Sequence, residues 1–453
     1  MIAFAKKLLR GAGVDRAIFY VLVNRGFSAF TGPVTIYLIA RFLTREEQGY
    51  FFTFSSILGL QIFFELGIGY VIMQCASHEM AHLQWTAAGR LEGDPTAKAR
   101  LASLFRFALK CYLVVALVAG CALVPAGIAF FSTSQPDGLN VTWQVPWILV
   151  VGISCFNLVL TPFYCLLEGC GKVAEFAKRG AWMSIIGSSC FWLALIANGK
   201  LFAAPVQNTV IAAIGTFWVF AKYGRFFKDL LATPIPSGAG VKWKEEILPF
   251  QWKVGLSALS GYFIFQLANP VLFRYRGPVE AGRMGMSMRI ADILLNLANS
   301  WVSTKSAPFG TYIARKDFKT LDDIFGKASR QAVAVLLLGG GAFFAVYYVL
   351  KLMGVPLVAR FLDPLSLLLL LGNAVITCVM FSQAVYLRAH KQEPFLVISL
   401  AGAVFVSLVI LLLGRPYGGP GIAAGLFFLN LFVSLPWTTW VFLRKRKQWH
   451  VSR

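Results

Sequence analysis

Charged side chains are scarce in this sequence, and acidic ones are the scarcest. Asp, Glu, Lys and Arg make up 14% of the 453 residues, whereas a soluble domain would contain about a quarter. The 20 acidic residues are outnumbered by 42 Lys and Arg, and histidine occurs only four times. Hydrophobic residues, at 58%, form runs of about 20 residues, each long enough to cross a bilayer as a helix. The composition excludes a soluble protein and predicts an all-α polytopic membrane protein.

The eight cysteines offer no framework of disulfides or zinc ligands. No two of them form a CxxC pair, and most lie inside apolar runs, as Cys111, Cys155 and Cys378 do. Cysteines in such a setting are usually small buried apolar side chains. We therefore expect neither a structural metal nor a cofactor.

Twelve hydrophobic segments result from breaking the chain at charge clusters and at Gly and Pro turns. They lie near 18–42, 49–74, 104–131, 145–168, 176–198, 203–223, 247–274, 281–308, 329–352, 362–387, 395–413 and 419–443. Each is predicted to be one membrane-spanning helix.

The positive-inside rule orients these segments. The N-terminal segment contains Lys6, Lys7 and Arg10 and lacks the pattern of a cleaved signal peptide. With this segment in the cytosol, roughly 30 of the 42 Lys and Arg fall on the cytosolic side. Both termini are therefore predicted to be cytosolic, with the positive loops against anionic phospholipid. Because the charge is spread over many loops, no nucleic-acid partner is predicted.

Two pairs of similar sequences predict an internal repeat. LTREEQGYFF contains Glu47 and Gly49, and RGPVEAGRMG contains Glu280 and Gly282, each just before a long apolar segment. LLEGCGKVAEF and VYLRAHKQEPF follow in the same order at a similar offset. This predicts two pseudo-symmetric six-helix bundles around a central cavity, an architecture of secondary transporters. The divisions are 1–228 (helices 1–6), 229–246 (cytosolic linker), 247–443 (helices 7–12) and 444–453 (basic cytosolic tail).

The segment ARFLTREEQGYFFTFSSILGLQIFFELGIG resembles the passage from the first to the second helix in the multidrug/oligosaccharidyl-lipid/polysaccharide (MOP) exporter superfamily. FQWKVGLSALSGYFIFQLANPVLF and AGRMGMSMRI resemble helices seven and eight of its polysaccharide transporters, the Wzx-type O-antigen flippases. The resemblance covers essentially the whole chain. It implies alternating access and transport of a lipid-linked oligosaccharide across the bacterial inner membrane, in lipopolysaccharide O-antigen or exopolysaccharide biosynthesis.

Four charged residues lie well inside predicted helices: Arg25, Glu65, Arg289 and Asp292. A charge near the bilayer centre is costly, so these side chains are expected to meet a partner or a wet cavity. They could form neutralising pairs, Arg25 with Glu65 and Arg289 with Asp292. Alternatively the arginines bind the diphosphate of a polyprenyl-linked sugar, and the acids serve as charge partners or carry a coupling ion. The resemblance adds support for Arg25, because these flippases tend to carry a basic residue in the first helix.

Further polar residues share these helices. Asn24 and Asn296 could bond sugar hydroxyls or neighbouring helices. Lys305 lies near the cytosolic end of helix eight, where it either joins the cavity or reaches the headgroups. Gly32-Pro33 and Asn269-Pro270 are predicted to bend helices one and seven, which would suit a hinge for alternating access.

One motif points elsewhere, because residues 77–85 contain His78-Glu79-x-x-His82, the spacing of a zinc metalloprotease. A catalytic zinc needs a third protein ligand, and the remaining histidines, His390 and His450, lie far along the chain. Asp94 and Pro95 fit a helix N-cap and first position better than a metal site. The motif is therefore interpreted as an interfacial turn, with His78 and His82 kept as a weak metal candidate.

Together these features predict a flippase rather than an enzyme. Its substrate would be a polyprenyl-diphosphate-linked oligosaccharide, and a polysaccharide polymerase and other pathway proteins are possible partners. The alternative in the same superfamily is a cation-coupled antiporter of small molecules or drugs, for which Glu65 and Asp292 would carry the ion. A membrane zinc protease is the remote alternative.

Overall fold

The computed structural model describes residues 16–86, 89–134, 141–236, 240–390, 392 and 394–451. Within these ranges, side chains are described except at 16–25, 28, 29, 134, 244, 249, 250, 253, 307, 450 and 451. The described chain is almost entirely helical, with one two-stranded antiparallel hairpin.

The first group of elements runs as far as the hairpin and the long helix after it. Its members are α1 (Arg16–Phe42), α2 (Arg45–Leu58), α3 (Ile62–Glu65), α4 (Ile68–Glu79), β1 (Leu83–Trp85), β2 (Leu91–Gly93) and α5 (Pro95–Ser134). Then come α6 (Gln144–Gly169), α7 (Val173–Ile196), α8 (Ala203–Ala232), α9 (Leu248–Phe265) and α10 (Ala268–Arg276). The last are α11 (Pro278–Ser303), α12 (Ser306–Ala314), α13 (Phe318–Leu352), α14 (Pro364–Ala389), α15 (Leu396–Leu429) and α16 (Leu435–Val451).

Seven helices of the described residues are long and apolar enough to cross a membrane, and nine when two bent pairs are counted as spans. The bent pairs are α2–α4, with a bend of 49°, and α9–α10, with a bend of 41°. One of the seven, Leu396–Trp449, is 54 residues long and is broken at Gly418, where φ is 66° and ψ is −146°. It holds two of the predicted segments. With α1 and α11, the described helices then match all twelve predicted segments.

The predicted bends are found at one of the two positions. The helical path of predicted helix seven breaks between α9 and α10, directly before Asn269-Pro270. By contrast, α1 continues through Pro33 as one helix. A bend that the sequence analysis missed lies in predicted helix two, where Leu66 (φ 46°) and Gly67 (φ 70°) adopt left-handed backbone conformations.

The described contacts divide the chain into two compact units. The first comprises residues up to Thr31, Leu58–Ser132 and Thr142–Leu259; the second comprises Gly32–Ile57, Thr133–Val141 and Ser260 onwards. The units therefore do not follow chain order, because segments 32–57 and 247–259 each belong to the unit built mainly from the other half. The predicted division into pseudo-symmetric halves, with a linker at 229–246, stays a prediction.

Each unit has its own helix packing. In the first unit, α7 packs along α8, and α6 packs on both α4 and α8. In the second unit, α11 occupies the middle, since it contacts α10, α13 and α14. Fully buried side chains on one face of α11, including Ala298 and Val302, join the core there with Phe309, Leu321 and Tyr386.

The start of α2 meets the start of α11 inside the second unit. A capping box begins α2: the Thr44 backbone N–H donates to the Glu47 carboxylate at 2.9 Å, and the Glu47 N–H donates to Thr44 Oγ1 at 3.1 Å. At Gly49 the backbones approach so closely that a Cβ would lie 1.9 Å from the carbonyl oxygen of Pro278. A Cβ on Gly282 would lie 2.9 Å from the Gly49 nitrogen. The two Glu-x-Gly sequences of the predicted repeat therefore contact each other.

Polar bonds fix this crossing. The Gln48 side chain is 1% exposed, and its amide donates to the Gly282 carbonyl at 2.8 Å and to the Arg360 carbonyl at 3.1 Å. The Arg360 guanidinium in turn donates to the Leu43 carbonyl at 2.6 Å. Because hydrocarbon offers no replacement partners, such bonds hold the helix ends in one arrangement.

We expect Gly49→Ala to destabilise the protein by about 2–3 kcal/mol, since a backbone atom rather than a flexible side chain occupies the position of the new methyl group. Thermal unfolding of the purified protein in detergent, followed by aggregation or fluorescence, measures the effect. Gly341→Ala is the matched control, because a Cβ there meets no atom within 4 Å and alanine favours a helix. Equal melting temperatures for the two variants would contradict the close approach.

Candidate functional site

A stripe of polar side chains runs along α11, defined by Arg289, Asp292 and Asn296. The three residues are spaced i, i+3 and i+7, which places them on one helix face. Arg289 and Asn296 are exposed on the surface of their unit, and Asp292 is half-buried. The opposite face carries Ile290, Ala298 and Val302, all buried in the unit's core. The helix is therefore polar on the face that the second unit leaves open.

Arg289 lies near the middle of its helix. Eleven residues separate it from Pro278, about 16 Å at 1.5 Å per residue, in a helix about 39 Å long. Because the hydrocarbon core is about 30 Å thick, this position is close to the bilayer centre. A charged group at that depth marks a substrate path, a relay or an ion pair.

Lys305 does not join this stripe. It follows the end of α11, where its backbone N–H donates to the Val302 carbonyl at 2.9 Å, and its side chain is exposed. Sixteen residues beyond Arg289, it lies roughly 24 Å further along the helix direction. The structure therefore does not bring the two cations together within the second unit.

Asn24 and Arg25 belong to α1, but their side chains lie outside the described residues. The proposed pairing of Arg25 with Glu65 thus stays a prediction.

Glu65 ends α3, immediately before the left-handed residues Leu66 and Gly67. The Tyr112 hydroxyl donates to Glu65 Oε1 at 2.6 Å, and the Tyr112 side chain is fully buried. At Gly67 a Cβ would lie 2.5 Å from Val254 Cγ1, which explains why this bend requires glycine. Sequence reasoning missed Tyr112, because it lies in the apolar run CYLVVALVAG with no other sign of a polar role.

The histidine motif lies where α4 gives way to the hairpin. The α-helix ends at Glu79, and His82 belongs to a 3-10 turn, Met80–His82. Glu79 accepts a bond from Arg100 Nε at 2.8 Å, and Arg100 Nη2 also bonds Glu246 at 2.6 Å. Over the described part of the chain, no group of three His, Cys, Asp or Glu side chains could hold a metal ion. Glu79 therefore serves an ion-pair network here.

The chain after this motif behaves partly as predicted. The Thr96 backbone N–H donates to the Asp94 carboxylate at 3.0 Å, which confirms Asp94 as the N-cap of α5 and Pro95 as its first residue. This bond holds the pKa of Asp94 below its usual range. The intervening hairpin was not predicted, because its strands β1 and β2 are only three residues long.

We expect zinc to leave the protein unaffected. Added zinc or a chelator should change neither its melting temperature nor its transport activity, and His78→Ala should behave like the parent protein. Metal analysis of the purified protein provides the measurement, with His390→Ala as the matched control. One equivalent of zinc that is lost in His78→Ala would contradict the interpretation of the motif as a turn.

Comparison with known proteins identifies relatives by structure only. No protein-family model and no curated protein matches the chain at a significant level. The lipid II flippase MurJ in its inward closed conformation is 12% identical with a TM-score of 0.63, over 95% of this chain and 90% of that one. A multidrug resistance MATE family transporter of the MOP superfamily in its inward-facing conformation is 14% identical with a TM-score of 0.58, over 94% and 100%.

A MOP superfamily transporter from Pyrococcus furiosus is also similar, at 15% identity and a TM-score of 0.55, over 96% of this chain and 95% of that one. All three neighbours are transporters or flippases. The likeness covers nearly the whole chain and shows that it has the fold of MOP superfamily transporters. The predicted all-α polytopic fold is thereby confirmed.

Proposed function

We propose that this protein is a bacterial inner-membrane flippase, which moves a polyprenyl-diphosphate-linked oligosaccharide by alternating access. The observation that carries the proposal is the exposed guanidinium of Arg289 near the middle of α11. An ionised group at that depth is costly unless it meets water, a partner or a substrate. A diphosphate headgroup is a substrate that would repay this cost.

The chemistry of the α11 stripe suits a phosphate ester. The planar fork of Arg289 can donate two parallel bonds to phosphate oxygens. Asp292, one turn away, would neutralise the arginine when no substrate is bound and release it when the diphosphate arrives. Asn296, exposed one further turn along, can donate to and accept from sugar hydroxyls. Asn24, Arg25 and Lys305 are proposed as additional ligands.

The alternating-access step is supported by the two bends. The chain passes from the second unit to the first at residues 57–58, and back at 259–260. The bends at Leu66–Gly67 and at Gln266–Leu267 each follow such a passage within ten residues. Hinges in transporters are a few residues at the ends of elements, which absorb a change in backbone angles. The bent helices are therefore proposed as the hinges.

A cation-coupled antiporter of small molecules is the second candidate. The neighbours include a lipid II flippase and a multidrug transporter, so the fold is found with both kinds of cargo. Glu65, hydrogen-bonded by Tyr112, and Asp292 are the carboxylates that could carry the ion. The flippase is favoured because arginine is the exposed charge of the α11 stripe, and a phosphate rather than a cationic drug complements it.

Lipid-linked intermediates are expected to accumulate, and surface glycan to disappear, when the gene is deleted from its host. Arg289→Ala should restore export about tenfold less well than the parent gene, because it removes a charge-assisted pair of hydrogen bonds. Arg289→Lys should recover part of the activity. Arg330→Ala, an exposed cation on α13, is the control and should restore export fully. Normal surface glycan in the deletion strain would exclude the flippase.

Coupling to an ion gradient is expected to depend on a carboxylate. Asp292→Asn and Glu65→Gln keep the side-chain shape and remove the charge, so the responsible variant should lose the dependence of transport on a proton or sodium gradient. Transport by protein reconstituted in vesicles, with each gradient imposed in turn, measures this. Asp323→Asn, on α13, serves as the control. If both variants respond to the gradients like the parent protein, neither carboxylate couples transport.

A further inference from the structure

A groove between α7 and α8, within the first unit, has no role in the transport proposal. Its volume is about 450 Å³, which is in the range of small-molecule sites. Its principal lining residues are Arg179, Trp182, Ile186, Phe217, Trp218 and Lys222. Two cations thus lie at one end of a groove whose other walls are apolar.

Arg179 is the unusual member of this groove. Its side chain is 8% exposed, and its guanidinium carbon lies 3.7 Å from the ring centre of Tyr164 and 4.3 Å from that of Phe176. Its Nε and Nη1 atoms are buried and make no hydrogen bond to any described residue. The aromatic rings stabilise the charge from the face but leave these donors unsatisfied. A buried arginine with free donors requires an acceptor from outside the chain.

Lys222 supplies the second positive charge. Its ammonium group pairs with Glu175, which also accepts a hydrogen bond from the Tyr223 hydroxyl. Glu175 thereby neutralises Lys222, while the described residues provide no ion-pair partner for Arg179. The end of the groove keeps a net positive charge, which complements an anion.

The depth of the groove fits the boundary between headgroups and acyl chains. Arg179 is six residues after the start of α7, about 9 Å along the helix. The whole of α7 is about 36 Å long, between the thickness of the hydrocarbon core, about 30 Å, and that of the full bilayer, about 40–45 Å. Arg179 thus lies just below the headgroups of the leaflet in which α7 begins.

The apolar walls face outward. Trp182 is 52% exposed and Phe217 is 76% exposed, as expected for side chains that contact acyl chains in a membrane. A soluble anion would use the cations and leave these walls uncovered. A neutral lipid would use the walls and leave Arg179 unsatisfied. Only an amphipathic anion uses both.

We propose that the groove between α7 and α8 binds one anionic phospholipid, with its phosphate on Arg179 beside Lys222 and an acyl chain along Trp182 and Phe217. The bound lipid completes the hydrogen bonds of a buried arginine and holds α7 against α8. It is distinct from the transported substrate, because the groove opens on the outer surface of these two helices rather than on the α11 stripe.

The test uses the purified full-length protein in detergent, titrated with phosphatidylglycerol or phosphatidylcholine and examined by native mass spectrometry. The parent protein should retain one phosphatidylglycerol molecule about tenfold more tightly than any phosphatidylcholine. Arg179→Met should weaken that retention about tenfold and abolish the preference. Lys178→Met, a neighbouring exposed cation outside the groove, is the matched control and should retain the lipid.

Ile186→Trp keeps the arginine and its aromatic neighbours while filling the groove, and it should also lose the tightly held lipid. This second variant decides the matter if Arg179→Met does not fold. The proposal is overturned if phosphatidylglycerol binds the filled groove as it binds the parent protein, or if phosphatidylcholine binds the parent protein equally well. It is also overturned if inorganic phosphate or a polyprenyl phosphate displaces the phosphatidylglycerol, because either would then be the true occupant.

Discussion

The close approach of α2 and α11 at Gly49 and Gly282 sets the geometry of the second unit. Their backbones leave no room for a Cβ on either glycine, so neither helix can shift past the other. Gln48 and Arg360 tie the same place together with buried hydrogen bonds. Since α11 also contacts α10, α13 and α14, this crossing fixes the helix that carries Arg289, Asp292 and Asn296. The polar stripe is therefore mounted on the most constrained helix of its unit.

Polar groups elsewhere obey the same rule that hydrocarbon provides no partners. Tyr112 satisfies Glu65 beside the bend at Leu66, and Arg100 satisfies both Glu79 and Glu246. Arg289 and Arg179 differ, because each is a cation whose position calls for a group from outside its unit. The first is exposed at mid-depth and the second is buried near the headgroups, and both are proposed to bind lipid-borne phosphate.

Much of the fold could be predicted because membrane spans are encoded by local composition. Twelve apolar segments, the N-cap at Asp94 and the resemblance to the MOP superfamily all follow from short stretches of sequence. The contact of Gly49 with Pro278 could not be predicted, because nothing local distinguishes a glycine in a close crossing from one on a free surface such as Gly341. The bend at Leu66 was missed since leucine rarely adopts a left-handed conformation, and the surroundings of Arg179 depend on three different helices. Periodicity along one helix does not reveal partners on others.

The order of the chain through the two units has a consequence for biosynthesis. Residues 32–57 leave the ribosome early, yet they belong to the unit that is completed only by residues after Ser260. At about 5–20 residues per second, roughly 10–50 s pass between the synthesis of Gln48 and that of Gly282, its hydrogen-bond acceptor. During that time the amide of Gln48 lies in or beside the membrane without its final partner. Insertion of this protein thus includes a waiting period, in which an early helix must be kept from pairing wrongly until a helix more than two hundred residues later arrives.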